Sequence, residues 1–286
     1  MGEGASGTLT LAYDKASAAR RFRWLAVLLV LILLVLGAGT IGEVDLPKLA
    51  ANFSRFTNYI YRILPDLTLS SFIEDLRAWY WNFKTWIGLL GETLLIAYLG
   101  TLMGATAAFF LCFAAATNLT RNQFLVFVVR RWLEFCRTVP VIVFGFIFVI
   151  AFGIGPMPGV LAIAIHTMGA LGKLFAEVVE NIDMKPVESV TATGARPSYV
   201  IRFAALPQVS SSFTSYALLR YEINVREATL MGFVGGGGIG QDLLASIRQF
   251  FYSDVSAILL MIIATVMIID SATNAIRHRL IGQEAE

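Results

Sequence analysis

Stretches of about twenty mainly apolar residues recur along this 286-residue chain, separated by short polar breaks. A run of that length matches the hydrocarbon thickness of a bilayer. It leaves a chain few ways to fold except as helices crossing a membrane, because backbone polar groups in lipid must be satisfied within the helix. Composition agrees: 57% of residues are hydrophobic, 15% charged, and mean hydropathy is +0.71. A soluble fold of this length needs a larger polar shell.

The runs and the charges between them predict six spans with both termini in the cytoplasm. Arg20, Arg21 and Arg23 precede the first run, Phe22 to Ala38; it is long for a cleaved leader and reads as a retained helix. Residues 42–85 are mixed, with Phe53, Phe56, Ile60 and Ile63, then Phe72, Leu76, Trp79 and Phe83, at helical spacing. Asp66, Glu74, Asp75 and Arg77 interrupt the segment. It is expected to be a lateral pair of amphipathic helices on the outer surface, with Trp79, Tyr80, Trp81 and Trp86 as an interfacial belt.

Further spans are expected at about 86–115, 139–154, 160–179, from Leu206 to a Gly-rich outer loop at 235–240, and at 255–275. The basic groups Arg121, Arg130, Arg131, Arg137, Arg277 and Arg279 then all fall inside. Residues 1–85 form the N-terminal tail, first helix and outer segment; 86–286 form the core.

Several chemistries find no support. A net charge of +2 is too small to suggest nucleic acid. Cys112 and Cys136 have no CxxC spacing and read as packing residues. His166 and His278 are isolated, so neither a metal site nor a catalytic residue is indicated.

The stretch that carries function runs from Lys185 to Pro197. Pro186 suits a helix start, Glu188 the positive end of the helix dipole, and Gly194 a terminator. This predicts a helix of about two turns outside the membrane, near 185–197: a rigid knob between two spans.

Glu188 is followed by Gly194, Leu206 and Pro207. That spacing resembles the cytoplasmic motif of permeases in binding-protein-dependent ABC importers: Glu-Ala-Ala, three residues, Gly, nine residues, Ile, one residue, Leu-Pro. Ser189 and Val190 replace the two Ala, and Ala204 replaces Ile. Arg137-Thr138-Val139-Pro140 is similar to the entry of a core helix in the same transporters. Gly235-Gly236-Gly237-Gly238-Ile239-Gly240 and the preceding Glu222-Ile223-Asn224-Val225-Arg226 look like the phosphonate-class permeases.

The resemblance implies a type I ABC importer permease fold in a prokaryotic inner membrane, working as a homodimer. Two cytoplasmic ATPase subunits, which hold ATP and Mg, would dock on Pro186, Glu188, Ser189, Gly194, Leu206 and Pro207. An extracytoplasmic binding protein would deliver phosphonate, phosphite or phosphate. This chain binds no cofactor in such a system and has no nucleotide-binding motif.

Arg220, Glu222, Asn224, Arg226 and Glu227 are the candidates for the substrate pathway, since Arg matches phosphorus oxyanions bidentately. Structural ion pairing is open beside that role: Glu222 and Arg226 are four apart, Arg220 and Glu227 seven. Lys173 is a weaker candidate that can snorkel. Gly235, Gly236, Gly237, Gly238 and Gly240 serve either as an outer gate or hinge, or as a tight re-entrant turn.

Three other readings compete. The methionine-class ABC permeases share the Gly-rich loop. An ion-coupled secondary transporter requires inverted repeats, and none is visible. A membrane enzyme acting on lipids requires clustered His, Asp or Glu.

Overall fold

The computed structural model describes residues 3–42, 45–65, 68 and 70–282; Asp66 lies outside them. Every regular element among the described residues is helical. The chain divides into two compact units, Met1–Tyr61 and Arg62–Glu286.

In the first unit, α1 (Glu3–Ile41) continues well upstream of the apolar run. From Arg20 to Ile41 none of it is buried, although this is the most apolar of the helices long enough to cross a membrane. Helix α2 (Leu46–Ile63) is amphipathic, as its spacing predicts. Asp45 caps it, its Oδ1 accepting the Lys48 N–H at 2.8 Å.

The second unit holds α3 (Phe72–Trp79), α4 (Phe83–Ala115), α5 (Gln123–Thr138), α6 (Val141–Phe152) and α7 (Pro156–Glu180). It continues with α8 (Met184–Ala192), α9 (Pro197–Val200), α10 (Leu206–Met231), α11 (Ile239–Arg248) and α12 (Tyr252–Gly282). Helices α4 and α7 form the central pair. Small residues let them approach closely: a Cβ on Gly104 would stand 2.6 Å from the Ala164 carbonyl oxygen.

Three apolar layers fill the unit along its length. Phe113, Phe175 and Phe213 anchor the layer nearest α8, with the Phe175 and Phe213 rings stacked 4.0 Å apart. Ile96, Phe144, Ile163 and Met231 fill the middle. Trp86, Leu90, Ile239 and Ile258 close the far end. Leu95, Leu102, Phe110, Ile147, Ile150, Ile263 and Met267 point outward and are exposed. So broad an apolar exterior fits lipid and not water.

Among the described residues, four helices are long and apolar enough to cross a membrane: residues 20–41, 83–115, 156–180 and 252–278. The span expected at 139–154 takes another form. Helix α6 has only twelve residues, about 18 Å at 1.5 Å per residue, and meets α5 at 88°. Pro140 at the elbow cannot donate a backbone hydrogen bond, which breaks the helix there. If the bent pair counts as one span, there are five. Helix α10 has 26 residues, enough length to cross, but its ionisable groups set it apart from the apolar helices.

The expected aromatic belt is corrected at Trp86. Trp86 is 1% exposed and donates from Nε1 to Asp242 at 2.8 Å. Trp79 and Trp81 bond residues at the start of α12, Ser253, Ser256 and Asp254. These indoles pin helix ends together in addition to any contact with headgroups.

Candidate functional site

The knob expected near 185–197 exists as α8, between the ends of α7 and α10. It starts two residues before Pro186. Asp183 is the N-cap, its Oδ1 accepting the Lys185 N–H at 3.0 Å. Pro186 therefore sits inside the first turn, where a missing N–H costs little. Glu188 falls beyond that turn, so the dipole role given to it belongs to Asp183. The helix ends at Ala192, and Gly194 follows with φ of +79°, a conformation that strains other residues.

Val187 anchors α8 to Val200 and Ala204 in a small apolar core. Glu188 and Ser189 remain exposed. A cleft of about 700 Å³ lies beside the helix, lined in part by Asn118, Arg121, Met184, Glu188 and Pro197.

Leu206 and Pro207 begin α10, but the helical path arrives earlier, through α9 and a π turn at Ile201–Ala205. Pro207 supplies no N–H, and its ring crowds the carbonyl four residues back; the wider π turn relieves that crowding. Behind α8, Glu180 at the end of α7 accepts hydrogen bonds from the Thr117 N–H and hydroxyl at 2.8 and 2.5 Å. It also pairs with Arg130 of α5. The segment after α4, the middle of α5 and the end of α7 thus meet on one carboxylate.

Further along α10, both predicted charge pairs form. Arg220 Nη2 lies 3.1 Å from Glu227 Oε2 and 2.6 Å from His166 Nδ1. It is 12% exposed. Arg226 Nη2 lies 2.5 Å from Glu222 Oε1 and 3.2 Å from each Asp270 carboxylate oxygen on α12. Arg226 is 47% exposed. The two guanidinium groups therefore differ: one is enclosed, the other faces out of the unit.

Asn224 is fully buried. Its Nδ2 donates to Thr101 Oγ1 at 2.7 Å and Thr167 Oγ1 at 2.9 Å, tying α10 to α4 and α7. Its Oδ1 has no hydrogen-bond partner among the described residues. Lys173 pairs with Glu177 at 3.5 Å, one turn on in α7.

At the opposite end from α8, the Gly run closes on the rest of the unit by backbone contacts. Gly236 N–H bonds the Met231 carbonyl at 2.8 Å, and the Gly235 carbonyl accepts the Gly155 N–H at 2.9 Å. Gly238 N–H reaches Glu92, and Ile239 N–H bonds Thr93 Oγ1 at 2.9 Å. Gly237 and Gly238 have φ of +80° and +76°. A Cβ on Gly240 would fall 1.8 Å from the Thr229 carbonyl oxygen. The predicted glycines are thus gathered into one close-packed turn, followed by the short helix α11, which no sequence signal had separated from the loop.

His166, Thr101, Thr167, Asp270 and Gln208 were not singled out by sequence. Each sits in a different segment from the group it touches. Asp183 was legible: an Asp two residues before Lys185-Pro186 is an N-cap signal.

Comparison with known proteins matches residues 100–282 to the family described as binding-protein-dependent transport system inner membrane component. A phosphite transport system permease of Stutzerimonas stutzeri is 41% identical over 196 residues, covering 68% of this chain and 71% of that protein. A second protein of that organism, also named for phosphite transport, is 32% identical over 276 residues, covering 96% and 94%. Among solved structures, an inward-facing methionine ABC transporter superposes with a TM-score of 0.59 at 18% identity, covering 68% of this chain and 95% of that one; at that identity the likeness is one of fold. With the motif on α8 and most of the second unit matched, this chain belongs to the binding-protein-dependent transport system inner membrane components, the permease subunits of ABC importers.

Proposed function

We propose that this permease carries a phosphorus oxyanion across the inner membrane, phosphite first, with phosphonate and phosphate as related cargo. The observation that carries the reading is the capped helix α8, which stands on the motif positions Glu188 and Gly194 and leads through Pro207 into charged α10. The names of the two phosphite-transport relatives support the cargo.

In this reading six spans cross the bilayer: the four apolar helices, the α5–α6 pair and α10. Both termini lie in the cytoplasm, and α2 and α3 lie laterally at the outer surface. Two copies of the chain enclose the path. Two ATPase subunits, holding ATP and Mg, seat on the two α8 helices, and an extracytoplasmic binding protein delivers cargo to the outer end. Nucleotide binding shifts the populations of inward- and outward-open states. The Gly235–Gly240 turn moves with α10 and α11 as one body, on which an outer gate would swing.

A cation exposed at membrane depth does not face lipid. The α10–α12 face bearing Arg226, Glu222 and Asp270 therefore looks into the path or onto the second copy. Arg226 is the accessible anion ligand, with the two carboxylates holding it until cargo replaces them. Arg220 sets the potential from within the wall.

The test is uptake of phosphite, methylphosphonate and phosphate by cells whose only phosphorus importer contains this permease. Arg226→Gln is expected to lower uptake roughly tenfold, the worth of one charged hydrogen-bond partner, with the ATPases still co-purifying. Unchanged uptake in both Arg226→Gln and Arg220→Gln would remove the substrate role of α10.

A further inference from the structure

Gln208 occupies an unusual position. It is the third residue of α10, just past Pro207, and its amide faces the start of α8. Gln208 Oε1 accepts the Asp183 N–H at 3.0 Å, while Nε2 donates to the Asp183 carbonyl at 3.2 Å. One side-chain amide thus pairs with both main-chain groups of the residue that caps α8. Nε2 also donates to the Ala204 carbonyl at 2.8 Å, inside the π turn.

Three features meet on this side chain: the first residue before the knob, the break in the helical path, and the first turn of α10. Val187 packs α8 against Val200 and Ala204, and Asn118 Nδ2 reaches Met184 Sδ at 3.6 Å; neither of these ties reaches α10 itself. Asn118 Nδ2 donates to the Val179 carbonyl of α7, and Glu180 holds α4 and α5. The chain itself does connect α8 to α10, but through Gly194, at φ of +79°, and a π turn. Both are poor transmitters of a push, because a left-handed glycine and a widened turn are places where the backbone bends. The Gln208 amide bypasses them.

We infer that Gln208 is a positioning residue that transmits displacement of α8 directly to α10, so that ATPase movement reaches the Arg220–Glu227 and Arg226–Glu222 region along one helix. That helix has 26 residues, about 39 Å at 1.5 Å per residue, and joins the knob to the charges. The inference rests on α8 being the ATPase-coupling helix.

The test is the full complex, permease with ATPases and binding protein, reconstituted in liposomes and supplied with phosphite. ATP hydrolysis and uptake are measured together. Gln208→Leu keeps the bulk and loses all three hydrogen bonds. Gln208→Glu keeps an oxygen for the Asp183 N–H and loses the donation. In Gln208→Leu the uptake per ATP hydrolysed is expected to fall roughly five- to tenfold, within the usual range of coupling between sites. Gln208→Glu is expected to fall between that variant and the natural chain.

Parallel loss of hydrolysis and uptake would overturn the inference, as would an unchanged ratio in both variants. Failure of both variants to assemble with the ATPases would place Gln208 in folding alone and overturn it too. If the natural chain itself recruits no ATPase, the coupling reading of α8 is what fails, and the two failures are thereby told apart.

Discussion

Helix α10 ends in two unlike ways. At its start, side chains do the holding: Gln208 on Asp183, and Asp183 on Lys185. A cleft of about 700 Å³ lies beside α8, and the backbone passes through a π turn and a left-handed glycine. At its finish, backbone packs on backbone, with Gly240 against Thr229 and Gly236 against Met231. Side-chain ties across loose packing can be remade in a second arrangement; close backbone packing is bistable at best and resists small deformation. The difference assigns adjustment to the α8 end and rigid-body motion to the Gly end.

The sharpest way to break this contrast is one methyl group at each end. Gly240→Ala places a Cβ 1.8 Å from the Thr229 carbonyl oxygen, and neither backbone can yield without moving α10 or α11. A loss of more than about 4 kcal/mol is expected, in the range where a point change prevents folding. Gly194→Ala meets nothing within 4 Å and carries only the left-handed backbone penalty, about 1 kcal/mol. Yield and thermal unfolding of the detergent-solubilised permease compare them. Equal effects would mean that the two ends are built alike.

Between the ends, the enclosed Arg220–Glu227 pair tests whether the middle of α10 belongs to the rigid or the adjustable half. Its side chains are 12% and 24% exposed, and His166 packs against the guanidinium. Glu227→Gln leaves that cation without its carboxylate, and about 3 kcal/mol of stability should go. Adding Arg220→Gln should restore part of it, because the stranded charge is then gone; a double-mutant cycle on unfolding reads this. Strict additivity would mean that the pair does not act as a unit.

How much of this was legible beforehand follows from the same division. Apolar runs announced α1, α4, α7 and α12, since lipid allows one reading of twenty such residues. The knob was legible because its signals are local: Pro186 and Gly194 lie within a few residues of the helix they mark, as does Asp183, the cap that was passed over in favour of Glu188. The elbow at Pro140 was not, because an apolar run gives no sign that α6 is too short to cross alone. Nor were the partners of α10. Gln208 reaches back 25 residues to Asp183, and Arg226 reaches forward 44 to Asp270. Sequence offered Arg226 its neighbour Glu222 and could not offer Asp270. Likewise, the indole of Trp86 read as interfacial because its partner Asp242 is 156 positions away.

The smallest expected effect concerns a side-chain clip before α3, outside the spans, that carries a titratable group. Asp75 of α3 accepts the Thr68 N–H and hydroxyl, both at 2.9 Å, and the Ser71 hydroxyl at about 3 Å. These hydrogen bonds, the Thr68 N–H foremost, hold its carboxyl below the ordinary aspartate value of 3.8. A depressed folded value means that the stabilisation is complete above the unfolded pKa and is lost as pH falls through the folded one. Protection of the Thr68 amide against hydrogen exchange, corrected for the intrinsic rate, should therefore persist as pH falls past 3.8 and be lost only as pH falls through the lower, folded value. In Asp75→Asn an amide oxygen can still accept, so weaker protection should remain and should no longer follow pH. Loss of Thr68 protection at or above pH 3.8, or the same titration in Asp75→Asn, would show that the carboxylate is not what closes the turn before α3.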